Sequence, residues 1–185
     1  MTPARHMQTH VFLLGFMGSG KSYWGDRLAT YFQQPFIDLD HRIETAEQQT
    51  IADIFARQGE MGFRALEQKH LHALANLPPS IIALGGGAPC FFDNMLWINQ
   101  HGRSFYLQVP VDILIPRLQG KISRRPLLAQ LPMEEWPAFL EEMSRQRAPY
   151  YERAHQTIVY DGDDAAFFTQ LCAAAFPPSH DFSPS

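Results

Sequence analysis

The sequence predicts an α/β protein: a central, mostly parallel five-stranded sheet with helices on both faces. Three observations carry that expectation. Short apolar runs recur along the chain, at His10–Leu14, Pro35–Asp38, Ser80–Leu84, Arg103–Leu107 and Thr157–Tyr160. Stretches with helical spacing fall between them, near 21–33, 50–58, 60–77, 92–101, 111–119, 133–148 and 163–175. Alternation of this kind favours parallel strands, since a parallel connection needs a crossover long enough to hold a helix. The third observation is the first junction, where Val11-Phe12-Leu13-Leu14 runs straight into Gly15-Phe16-Met17-Gly18-Ser19-Gly20-Lys21-Ser22.

Composition sets the outer bounds. With 185 residues, 45% apolar and 18% charged, the chain can bury a sizeable core and is not a disordered polymer. One domain is expected over 9–175, with 1–8 a flexible N-terminus or expression remnant. The tail 176–185, with three prolines and three serines, is expected to fray. A net charge of -4 argues against broad nucleic-acid binding, which needs a strongly positive surface. Cys90 and Cys172 make no disulfide framework. Cys172 reads as core, and Cys90 as a small wall residue near the pocket. No apolar run suits a bilayer and no signal peptide is evident, so a cytoplasmic protein without a membrane partner is expected. The eight histidines show no zinc-like spacing.

The first junction reads G-x-x-x-x-G-K-S between a strand and a helix, which is the context a phosphate-binding loop requires. Glycines permit a tight path whose N–H groups face phosphate oxygens, and the helix start adds its positive dipole end. Lys21 would reach the β- and γ-phosphates, and the Ser22 hydroxyl would ligate Mg²⁺. The helix that follows carries Trp24, Leu28 and Tyr31/Phe32 along one side.

In open parallel sheets ligands collect at the carboxyl ends of strands. After the second apolar run come Asp38 and Asp40. If the strand continues, both fall on one face. One acid could sit in the outer shell of Mg²⁺ and the other orient a substrate hydroxyl; equally, Asp40 could cap a following helix. The third run ends in glycine and lacks a metal-directing acid, which leaves Asp38 as the better magnesium candidate. Gly85-Gly86-Gly87 would allow close backbone approach to an oxygen-rich ligand, or is a flexible turn.

Phe55 and Phe63 are core or an apolar wall. Arg64 and Glu67, three apart on a helix, are a surface pair or a braced guanidinium aimed at a carboxylate. Residues 120–128, Gly-Lys-Ile-Ser-Arg-Arg-Pro-Leu-Leu, suit a mobile lid over phosphates at about 118–131, or a solvated basic loop. The helix from Met133 carries an exposed Glu141–Arg145 pair and is expected to stop at Pro149. Arg147 complements that helix end or anchors a substrate anion.

Taken together, GFMGSGKS at 15–22, DLD at 38–40, IADIFARQGEMGFRALE at 51–67, GGG at 85–87, RRPLL at 124–128 and RQRAPYY at 145–151 resemble shikimate kinases. Gluconate and nucleoside monophosphate kinases share the loop but not the rest. The resemblance implies a P-loop kinase three-layer sandwich and phosphorylation of shikimate by ATP, with Mg²⁺. It implies nucleotide contacts from Gly18, Ser19, Gly20, Lys21, Ser22, Tyr23 and the lid residue Arg125, and catalytic roles for Lys21, Asp40 and Arg125. Asp40 would hold the ring hydroxyls with an unshifted pKa. Arg64 and Arg147 would clamp the carboxylate, with Gly85, Gly86 and Gly87 beside it and Phe55 and Phe63 along the ring. Ser22 would bind Mg²⁺ directly and Asp38 through water. Shikimate and ATP are the expected partners of a monomer. Two positions depart from the family: Tyr23 stands where Thr is usual, and Arg117, nearest to the adenine arginine, is spaced about one residue off.

Overall fold

The computed structural model describes residues 8–119 and 131–176. Most of the expected lid, including Arg125, lies outside the described residues, as does 177–185 of the tail. The strands are β1 (His10–Leu14), β2 (Phe36–Asp38), β3 (Ile81–Ala83), β4 (Gly102–Gln108) and β5 (Gln156–Val159). They form one sheet in the order β2-β3-β1-β4-β5, and every pairing is parallel. β1 and β3 are buried at every residue and apolar almost throughout, as a parallel sheet covered on both faces demands. β5, at one edge, buries only Ile158.

Seven α-helices occur among the described residues: α1 (Lys21–Phe32), α2 (Leu39–Glu47), α3 (Ile51–His72), α4 (Asn94–His101), α5 (Val111–Gln119), α6 (Trp136–Tyr151) and α7 (Asp164–Ala175). α1 buries Trp24, Leu28 and Phe32 on one stripe, while Tyr31 turns outward. No helix among the described residues is long and apolar enough to cross a membrane.

Four expectations need correction. The strand does not continue to Asp40: β2 ends at Asp38, which caps α2 by accepting the His41 N–H at 3.2 Å. Asp40 therefore sits in the first turn of α2 rather than capping a helix that follows it, the cap being Asp38. The segments 50–58 and 60–77 are one helical stretch, α3, kinked at Gly59 (φ 69°, ψ −178°) and followed by a 3₁₀ turn at Ala73–Asn76. Pro149 does not stop α6, which runs on to Tyr151. Its missing N–H leaves only one carbonyl, four residues back, without a helical donor near the end. On the same helix Arg145 pairs with Glu142 rather than Glu141.

Register places the site. Asp38 lies opposite Ala83, Ala83 opposite Leu13, and Leu14 opposite Tyr106. The chain thus leaves β1, β2 and β3 along one edge, bringing the glycine loop, Asp38 and the Gly85–Gly87 triplet together.

Candidate active site

The loop after β1 opens into the start of α1 with Gly20 in the left-handed region (φ 89°), a conformation costly for any residue with a β-carbon. Among the described residues no side chain caps α1. Trp24 N–H donates to Gly20 O at 2.8 Å, so the amides of Lys21, Ser22 and Tyr23 precede the first helical bond. Uncapped amides at a helix start, with the dipole behind them, form an anion seat. Lys21 lies over the loop and donates from Nζ to Gly15 O at 2.9 Å and Phe16 O at 3.1 Å. Ser19 is less available: its amide donates to Phe16 O, and its hydroxyl is buried without a partner among the described residues.

Beside the loop lies a crevice of about 570 Å³ lined by Met17, Gly18, Gly20, Lys21, Ser22, Tyr23, Trp24, Asp40, Leu84, Gly86, Arg117 and Asp164. Ser22 Oγ donates to Asp38 Oδ2 at 2.5 Å. A hydroxyl and a carboxylate at that spacing fit Mg²⁺, a hard ion that takes few protein oxygens and completes its shell with water and phosphate. Arg117 reaches the far side, its guanidinium 4.5 Å from the centre of the Tyr160 ring.

Asp40 faces this crevice. Burial raises its pKa, the neighbouring Asp38 carboxylate adds to the effect, and Lys21 and Arg64 oppose it. The expected ordinary Asp40 pKa is therefore corrected upward. The cause is tertiary packing that residue spacing does not reveal.

The glycine triplet makes room for side chains as much as for a ligand. A β-carbon on Gly85 would lie 2.6 Å from Glu67 Oε1 and 2.8 Å from Asp40 Oδ1, and one on Gly87 would collide with the Arg64 guanidinium. Of the three, Gly86 lines the crevice. Arg64 is buried, with Nη1 bound to Glu67 at 2.8 Å and Nη2 to Glu60 at 3.3 Å. Phe55 and Phe63 pack 4.6 Å apart beside it, and Phe91, missed from sequence, lies closest at 4.3 Å. Glu67 is wholly buried; desolvation pushes its pKa up to about 7, against the pull of Arg64. Arg147 comes to the same place from α6: its Nη1 would be 3.6 Å from a β-carbon on Gly86. Cys90, half-buried, feels both arginines and Glu67. Burial holds its thiol at about 11, so it is neutral wall rather than nucleophile.

An uncapped phosphate loop on a parallel sheet, with an acid and two arginines at the same strand ends, defines a P-loop kinase of small molecules. A family model described as shikimate kinase matches residues 17–175. The chain belongs to the shikimate kinase family. It is 42% identical to a shikimate kinase of Parabacteroides distasonis over 153 residues, which cover 83% of this chain and 87% of that protein. It is 38% identical to a shikimate kinase of Bacteroides thetaiotaomicron over 154 residues, 83% of this chain and 87% of that one. The crystal structure of Bacteroides thetaiotaomicron shikimate kinase superposes with a TM-score of 0.82 at 36% identity, covering 88% of this chain and 96% of that chain. The Acinetobacter baumannii shikimate kinase, solved in complex with shikimate, superposes with a TM-score of 0.82 at 33% identity, covering 91% and 93%. A gluconokinase of Sinorhizobium meliloti shares the fold alone, with a TM-score of 0.55 at 14% identity.

Proposed function

We propose that this crevice transfers the γ-phosphate of ATP to the 3-hydroxyl of shikimate, giving shikimate 3-phosphate and ADP on the route to aromatic amino acids. The observation that carries the reading is the convergence of Asp40, Arg64 and Arg147 on the Gly85–Gly87 turn, one crevice away from Lys21. The α1 amides and Lys21 seat the triphosphate. Ser22 and Asp38 would hold Mg²⁺, which when bound would neutralise charge on the phosphates. Arg117, beside Tyr160, flanks the adenine end. Arg125, outside the described residues, is read as the cation that offsets charge on the transferring group.

Arg64 and Arg147 take the carboxylate from two sides. Glu60, at 56% side-chain exposure, is the partner a substrate carboxylate displaces from Arg64, while buried Glu67 stays and keeps the fork oriented. Asp40 accepts the proton of the attacking hydroxyl; a raised pKa makes it a stronger base once ionised. We read 9–175 as one catalytic unit that works as a monomer in the cytoplasm, where two unpaired cysteines stay reduced.

Arg64→Ala tests the clamp. Loss of a charged hydrogen-bond pair is worth roughly 1.5–3 kcal/mol, so the KM for shikimate should rise about ten- to a hundredfold while the KM for ATP stays within about twofold. Equal rises in both constants would remove Arg64 from the acceptor site.

A further inference from the structure

The two arginines of the acceptor site are held in different ways. Arg64 is braced by two carboxylates. Among the described residues no carboxylate lies within ion-pair distance of Arg147. Its guanidinium instead stands 5.6 Å from the centre of the Phe16 ring, with Nη1 beside Gly86, and Tyr151 follows one helical turn further along α6. Tyr151 is completely buried, its ring 5.1 Å from that of Tyr106. Its hydroxyl donates to Gly86 O, in the glycine that lines the crevice. Burial drives the phenol pKa well up, so the donated proton stays in place across the working pH range.

We infer that Tyr151 is a positioning residue for the acceptor site: its hydroxyl bridges α6 to the Gly86 carbonyl, fixing the glycine turn against the Arg147 guanidinium. Arg147, with no carboxylate at ion-pair distance among the described residues, keeps its full charge for an incoming anion, where a carboxylate neighbour would offset it beforehand. The bridge also ties the glycine turn to α6, so turn and arginine move as one. This inference rests on the reading of Arg147 as a carboxylate anchor.

Tyr151→Phe keeps the ring packing and deletes only the bridge. The KM for shikimate should rise roughly three- to tenfold, as for a lost buried hydrogen bond, with the KM for ATP within about twofold and kcat within about threefold. A merely structural role would move both KM values together. Shikimate methyl ester, which lacks the anionic carboxylate, separates the two levels of the argument. Wild type should use it poorly, and Tyr151→Phe should leave its KM nearly unchanged. If wild type uses acid and ester alike, the anchor reading fails and takes this inference with it. If wild type discriminates but Tyr151→Phe keeps the wild-type KM for shikimate, the positioning role alone is overturned. Should the variant melt below assay temperature, calorimetry of shikimate binding in the cold replaces kinetics, with the same expected ratio and the same overturning result.

Discussion

At the residue scale, the site depends on carboxylates whose burial changes their chemistry. Asp40 has a raised pKa, so kcat/KM should fall on the acid limb at a higher pH than an ordinary aspartate would give. Asp40→Asn removes the base and should lower kcat by roughly 10²- to 10⁴-fold while ADP still binds. Retained wild-type turnover would take Asp40 out of the chemistry. Glu67 makes a second prediction. Its folded pKa of about 7 lies above the ordinary 4.5, so between those values the unfolded chain releases its proton first. The Glu67 contribution to stability is therefore complete below about pH 4.5 and lost as pH rises through about 7, a change on the order of 3 kcal/mol. In urea unfolding from pH 5 to 8, wild type should lose stability relative to Glu67→Gln; a difference flat with pH would contradict the buried carboxyl. The spacing of Arg64 and Glu67 could be read directly, because three residues on a helix make neighbours. Their burial could not, because it depends on Phe55, Phe63, Phe91 and the glycine turn, which the chain brings together only when folded.

At the scale of elements, strong periodic signals were legible and short junctions were not. β1 and the loop into α1 stand where the apolar run and glycine spacing place them. The start of α2 was not legible, and a helix could be expected only after Asp40, because α2 has nine residues, begins directly at the end of β2, and buries only Leu39 and Ile43. An acid that ends one element and caps the next leaves no linker to read. Gly59 is the other junction. It takes φ 69° inside α3, and a β-carbon there would meet nothing within 4 Å. Substitution with alanine therefore costs only backbone strain, about 1–3 kcal/mol, since ψ −178° at this φ is a conformation that glycine takes almost alone. Gly59→Ala should lower Tm by roughly 2–12 °C in a thermal melt. An unchanged or higher Tm would mean that the kink is not held in solution.

At the scale of the whole molecule, the sheet order carries the function. Placing β1 between β3 and β4 sets the phosphate loop in the middle, with Asp38 and the glycine turn to one side and Arg117 to the other. A nucleotide and a small acid can then lie across one edge without any strand changing direction. The motif order singled out Arg147 as a possible anion anchor alongside Arg64, while its approach to Gly86 from α6 is visible only in the fold. The central claim is that the edge accepts one small hydroxylated carboxylic acid as phosphate acceptor. Coupled ADP release with shikimate, gluconate and nucleoside monophosphates under identical MgATP tests that claim most directly. Rapid turnover of shikimate, with the others near background, is the result this structure predicts. Turnover of gluconate with none of shikimate would contradict it.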